Sequence, residues 1–174
     1  IRATERSKNL RSPLRDILRE AKRIQKTGKE MFYFNIGDPN KFDFDTPQQL
    51  KEELAKVTQN NWGYYAQAEG EPELLEAVAD RERKENNVDI TADDVVVTQG
   101  ISEGVLFLMG ALLESGEEIL IPGPTYYIYL QWSQFLGGVP VTYRTDEENN
   151  WQPDVEALEE KITDKTRAIV VINP

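Results

Sequence analysis

A chain of 174 residues with 39% apolar and 29% charged residues is long enough, and ordinary enough in composition, for one soluble domain with a sizeable core. It contains no cysteine and no histidine, which excludes thiolate and disulfide chemistry, a Ser-His-Asp triad within the chain and the commonest zinc ligand. A net charge of -11 argues against nucleic acid, which needs clustered Lys and Arg, and no apolar run approaches the ~20 residues that span a bilayer.

Residues 1 to 11 carry Arg2, Arg6, Lys8 and Arg11 with few apolar residues, the pattern of an extended arm ordered only by docking. This polar, basic opening does not have the pattern of a secretory signal, so the cytoplasm is the expected compartment. Ser12-Pro13 then offers an N-cap followed by proline at the first helical position. Leu14, Ile17, Leu18, Ala21 and Ile24 share one helical face, and Gly28 closes the helix. Phe32–Ile36 is a short β-prone segment ending in Gly37-Asp38-Pro39, and a loop with Phe42, Asp43, Phe44 and Asp45 follows. That loop reads equally as a structural turn or a ligand loop. Thr46-Pro47-Gln48-Gln49 has the pattern of a capping box, with Leu50, Leu54 and Val57 as the stripe of the helix behind it.

Trp62-Gly63-Tyr64-Tyr65 places three aromatics in a polar connection, which implies burial against the core, a subunit interface or a ligand. From Pro72 a helix runs through Leu74, Leu75, Val78 and Ala79, then becomes a charged, solvated face and stops near Asn86-Asn87.

Beyond Thr91 the pattern changes to strand and helix in alternation. Strands are predicted at 95–98, 119–122, 140–143 and 168–172, with helices at 102–113, 126–136 and 155–161. Gly137-Gly138 stops the second of these helices, and Pro153-Asp154 opens the third. Near-continuous Val, Ile and Leu in the strands is the mark of a sheet buried on both faces. The fold class is therefore α/β, a helix-covered and mainly parallel sheet preceded by an N-terminal arm and helix.

Ligands in such sheets sit at the carboxyl ends of strands, where Thr98-Gln99-Gly100-Ile101-Ser102 falls. Glycine there permits positive φ, and the amides at the start of the following helix can aim at an anion. The dipole contributes only ~0.3–1 kcal/mol, so a cation from elsewhere should complete such a site. Neither Gly-x-Gly-x-x-Gly nor Gly-Lys-Ser/Thr is present, and strand–Gly–Ser–helix is also a common structural turn. A second candidate is Pro122-Gly123-Pro124-Thr125-Tyr126-Tyr127, a rigid turn that would hold an aromatic ring in the same crevice. Packing of helix on sheet accounts for Tyr127 and Tyr129 better than for Tyr126, which sits nearest the strand end. A third is Asn173-Pro174, where a strand-terminal Asn would bond a polar ring substituent or cap a turn.

Taken together these residues resemble the first half of a class I, fold-type I pyridoxal-phosphate aminotransferase, alanine aminotransferases above all. The resemblance rests on Asn35-Ile36-Gly37-Asp38-Pro39, Phe42-Asp43-Phe44, Tyr64-Tyr65-Ala66, Glu69-Gly70, Pro72-Glu73-Leu74, Thr98-Gln99-Gly100, Ile121-Pro122-Gly123-Pro124 and Ile172-Asn173-Pro174, in that order and spacing. It implies pyridoxal 5'-phosphate as cofactor. Gly100, Ile101 and Ser102 would form the phosphate turn, and Tyr126 would stack on the pyridine ring. Tyr65 would reach the phosphate bound by the other subunit of a homodimer, and the backbone at Gly37 would meet the substrate carboxylate. It further implies a small-domain segment within residues 1–44 and an incomplete cofactor-binding domain over 45–174. Leu75 and Tyr127 depart from the pattern, standing where relatives usually carry Arg and often Pro.

In relatives the Schiff-base lysine, the acid beside the pyridine nitrogen and the anion-binding arginines all lie beyond the stretch matched here. The resemblance therefore implies transfer of an amino group from an amino acid, alanine among the donors, to a 2-oxo acid, with a C-terminal half supplying the missing groups. Two other readings stay open: a non-catalytic split half or assembly module, and a lyase of the same fold.

Overall fold

The structure is a computed structural model that describes residues 2–8, 10, 13–34, 37–42, 44–60 and 62–173. Its helices are α1 (Glu5–Lys8), α2 (Pro13–Gln25), α3 (Gln48–Gln59), α4 (Pro72–Glu85), α5 (Ile101–Leu112), α6 (Ile128–Phe135) and α7 (Val155–Glu159). Its strands are β1 (Glu118–Gly123), β2 (Val139–Asp146), β3 (Gln152–Pro153) and β4 (Thr166–Ile169). Contacts divide the chain into two units, Ile1–Lys29 with Thr98–Pro174, and Glu30–Val97.

The first unit holds the sheet, in the order β3-β2-β1-β4. Strand β1 runs parallel to both β2 and β4, and only β3 is antiparallel, against the end of β2. Steps from β1 to β2 and from β2 to β4 run in opposite directions, so right-handed crossovers put α6 and α7 on opposite faces. Proline is disfavoured in a central strand because it cannot donate to the ladder. Pro122 avoids that cost. Leu120 accepts from Val170 N–H at 2.8 Å, and Pro122, two residues on, faces the same side after β4 has left the ladder.

Ile119 and Ile121 of β1 pack against Val105, Met109 and Leu113 of α5, with Leu130, Trp132 and Leu136 of the α6 region around them. Fully burying each such side chain contributes about 1.5–3 kcal/mol. The other face carries Leu120 and Tyr143, both within 1% of full burial. Tyr143 donates its hydroxyl to the Val170 carbonyl at 2.7 Å, which satisfies the buried phenol, and burial pushes its pKa up. Helix α6 ends as expected at a glycine pair, Gly137 having φ +94°.

Residues near the start do not form the extended arm expected. Glu5–Lys8 close into α1, held by pairs from Glu5 to Arg2 and Lys8, and Arg6 lies 5.5 Å from the Phe135 ring centroid of α6. In α2 Ala21 is buried while Ile17 stays exposed, and Ser12, the expected cap, lies outside the described residues. Strand β4 starts earlier than expected and stops at Ile169, because after Val170 the chain leaves the β1 ladder.

In the second unit, α4 buries Leu75 and Ala79. Its charged run is more organised than a solvated face: Arg83 pairs with Asp80 and with Glu76, and donates to the Ile90 carbonyl at 2.7 Å. Residues 95–98, expected as a strand, are extended but join no sheet, and Val97 N–H bonds the Glu69 carbonyl instead. A strand needs a neighbour to complete its ladder, and no strand among the described residues pairs with this one. Phe32–Phe34 likewise form no strand; Asn35 and Ile36 lie outside the described residues, as do Asp43 and Pro174. The capping box at Thr46 is not formed either. Pro47 is itself extended (ψ 136°), so α3 begins one residue late and Thr46 accepts from Asn40 Nδ2 at 3.3 Å. The stripe of Leu50, Leu54 and Val57 is exposed.

At Gly138, a Cβ would meet Leu113 Cδ1 at 3.0 Å and the Ser133 carbonyl oxygen at 3.3 Å. Gly138→Ala is therefore expected to destabilise the sheet unit by about 1–3 kcal/mol, read as a lower urea midpoint. An unchanged midpoint would contradict this close approach of α6, α5 and the start of β2.

Candidate functional site

The turn before α5 is built from side chains that fasten its backbone. Thr98 Oγ1 donates to the Gly100 carbonyl at 3.0 Å, and Gly100 N–H donates to the Thr98 carbonyl at 2.8 Å. Glu103, in the first turn of α5, accepts the Gln99 N–H at 2.6 Å. Gly104 lets the helix approach Thr98, since a Cβ there would lie 3.3 Å from Thr98 Oγ1.

Gly100 caps α5 with φ +74°, a conformation in which a β-branched residue is a steric outlier, and nothing lies within 4 Å of where its Cβ would be. Its own amide is already bonded to Thr98, so its part in the turn is conformational. Ile101 and Ser102 are the first helical residues, whose amides have no acceptor within the helix, and both residues are exposed. An open helix N-terminus of this kind presents paired N–H donors and the positive end of the dipole.

Tyr126 reaches the same place from the loop after β1. Its hydroxyl lies near the side chains of Ser102 and Tyr127, close enough for both to bear on its ionisation. Its ring meets the Tyr127 ring edge-on, with centroids 4.9 Å apart and planes at 70°. Burial is the largest influence raising the Tyr126 pKa; Tyr127 adds to it and Ser102 opposes it. The residue as a whole is 46% exposed.

Beside Tyr126 lies a cavity of about 440 Å³ lined by Pro122, Pro124, Thr125, Tyr126, Tyr129, Thr145, Trp151 and Ile172. Thr145 donates to the Gly123 carbonyl at 2.9 Å and so steadies the loop that carries Pro124 and Tyr126. Thr125 Oγ1 is buried with no hydrogen-bond partner, a polar group oriented by its loop and left unsatisfied. No Lys or Arg lines this cavity, so the charge that a bound anion would need is not supplied there.

The expected residues thus fall into two groups. Gly100, Ile101, Ser102 and Tyr126 belong to the sheet unit, where Ser102 and Tyr126 touch. Tyr65 and Gly37 belong to the other unit. There Tyr65 is fully exposed, Trp62 and Tyr64 are exposed with ring centroids 6.2 Å apart, and Gly37 has open space around its Cβ position. The aromatic trio is therefore not part of its own unit's core. Asn173 is exposed, and its neighbour Ile172 supplies one wall of the cavity.

Of the other residues at the site, Thr145 and Trp151 carry no role in the sequence reading, Thr125 appears there only as part of the turn, and Tyr127 only as packing of helix on sheet. Trp151 had a signal: it follows the polar run Glu147-Glu148-Asn149-Asn150, and Asn150 and Trp151 both adopt positive φ. A tryptophan in a polar turn is as informative as the Trp62 cluster.

Comparison with known proteins places this geometry. The model of the family "Aminotransferase class I and II" matches residues 7–174. The probable aspartate/prephenate aminotransferase of Aquifex aeolicus is 35% identical over 163 residues, covering 94% of this chain and 41% of that protein. The glutamate-pyruvate aminotransferase AlaA of Escherichia coli is 34% identical over 158 residues, covering 91% of this chain and 39% of that protein. Among solved structures, an alanine aminotransferase from Pyrococcus furiosus superposes with a TM-score of 0.94 at 46% identity, covering 99% of this chain and 44% of that one. This chain spans about two-fifths of the length of these relatives. Its helix-flanked, mainly parallel sheet is the fold of those aminotransferase structures. The chain belongs to the class I and II aminotransferase family.

Proposed function

We propose that the protein carrying this chain is a pyridoxal-phosphate-dependent aminotransferase that moves an amino group from an amino acid, alanine first among those to test, to a 2-oxo acid. The observation that carries this is the meeting of the open α5 N-terminus with the Tyr126 ring at Ser102. Such a pairing suits a ligand that is anionic at one end and aromatic at the other.

The residues present fit the cofactor. A positive-φ glycine with free space beside it leaves room for phosphate oxygens over the helix terminus, and the cavity beside Tyr126 is large enough for a small ring. When bound, the cofactor supplies the electron sink for chemistry at the amino-acid α-carbon.

In this reading Ile101 and Ser102 hold the phosphate through their amides, and Gly100 sets the turn that aims them. Tyr126 packs on the pyridine ring. Gly37 meets the substrate carboxylate through its backbone, and Tyr65 reaches the phosphate in the partner subunit of a homodimer. Its complete exposure suits a residue whose partner is another chain. Residues 1–44 supply the N-terminal helices and a small-domain segment, and 45–174 form part of the cofactor-binding domain. The lysine that bonds the cofactor and the arginines that hold the anions come from the rest of the protein, since the relatives are more than twice as long. The proposed compartment is the cytoplasm; no described helix is long and apolar enough to cross a membrane.

Two expectations test this reading. In the intact protein, Gly100→Val abolishes saturable binding of pyridoxamine 5'-phosphate, while Ser102→Ala weakens it about 5-fold, since one hydroxyl is lost and the amides remain. Equal affinities for wild type and Gly100→Val would refute the phosphate turn. The intact protein reconstituted with pyridoxal 5'-phosphate shows visible absorbance that alanine or another amino acid bleaches. No spectral change with any amino acid would sink the transaminase assignment.

A further inference from the structure

We infer that Tyr127 is a positioning residue, whose ring, packed edge-on against Tyr126, holds that ring in the orientation that faces the crevice. The inference rests on the proposed reading of Tyr126 as the platform for a cofactor ring.

Tyr126 stands on a loop between the end of β1 and the start of α6, half-exposed and lining the cavity. A side chain so placed has rotamer freedom to lose when it orders against a ligand. Tyr127 has little such freedom in its backbone. It caps α6 in helical geometry (φ -58°, ψ -18°), its carbonyl accepts from Gln131 N–H at 3.0 Å, and the next residue, Ile128, is buried. The Tyr127 backbone is therefore fixed to the helix, and Ile128 buries the start of that helix.

From this base the Tyr127 ring lies 4.9 Å from the Tyr126 ring at 70°, the edge-to-face arrangement that the aromatic quadrupole favours. Ser102, at the start of α5, lies near the Tyr126 hydroxyl. Tyr126 therefore stands between the starts of two helices, with Tyr127 setting the tilt of its ring. Without the Tyr127 ring, Tyr126 would lose the edge-on contact that fixes that tilt.

The test uses the intact protein with Tyr127→Leu, Tyr127→Phe and Tyr126→Leu, followed by two readouts. One is the tyrosine ring NMR signal of Tyr126, and the other is the affinity for pyridoxamine 5'-phosphate. Tyr127→Leu is expected to shift and broaden the Tyr126 signal and to weaken binding by about 2- to 10-fold, the range of one aromatic pair. Tyr127→Phe keeps the ring and removes only the hydroxyl. It should leave binding nearer wild type and lower the pH at which Tyr126 ionises, because Tyr127 raises that pKa. This variant keeps the test decisive if the leucine variant does not fold. Unchanged Tyr126 signals and affinity in both Tyr127 variants, with weakened binding in Tyr126→Leu, would overturn the role of Tyr127 alone. Unchanged affinity in Tyr126→Leu would instead remove the platform reading on which it rests.

Discussion

Strand β1 is hydrogen-bonded on both edges and buried on both faces, and the position of every element around the site follows from it. Ile119 and Ile121 fix α5 through Val105, Met109 and Leu113, and so fix where α5 begins. At its other end β1 leaves the sheet through Pro122, Gly123 and Pro124, and so fixes where Tyr126 stands. Two segments about 25 residues apart in sequence are thereby delivered to one point, where Ser102 lies near the Tyr126 hydroxyl. A side chain on either segment alone would have no reason to meet the other.

The chemistry available at that point is shaped by which amides are already bonded. Gln99 and Gly100 donate to Glu103 and Thr98, and these bonds lock the turn. Ile101 and Ser102 remain as the donors. Glu103 places a carboxylate close to a prospective anion, yet its bond to Gln99 N–H directs it to the back of the turn. With no Lys or Arg along the neighbouring cavity, amides and dipole alone contribute too little to hold a phosphate tightly.

Much of this was legible in the sequence where local rules and burial agree. The apolar runs at 119–122 and 140–143, Gly137 after α6 and Asp154 before α7 each combine a local signal with a packing role, and each element formed. Local signals failed where a partner had to come from elsewhere. Residues 95–98 have the composition of a strand but no neighbour to pair with, and Leu50, Leu54 and Val57 have a helical stripe with nothing of their own unit over it. Thr46 misled because proline at 47 took extended backbone and moved the helix start beyond its reach. At the site, the turn and Tyr126 were visible as motifs. Tyr127 was read only as packing, and Thr145 and Trp151 were not visible, because their roles depend on the register of β1 with β2 and on a positive-φ turn that has no glycine in it.

The central claim is that the amides of Ile101 and Ser102, brought to Tyr126 by β1 and α5, hold a phosphate. The most direct measurement is amide NMR of the intact, isotope-labelled protein titrated with pyridoxamine 5'-phosphate. The account expects the Ile101 and Ser102 amide resonances to move downfield together, at the same ligand concentration at which the Tyr126 ring signals shift. Saturable binding that leaves those two amides unmoved would contradict it.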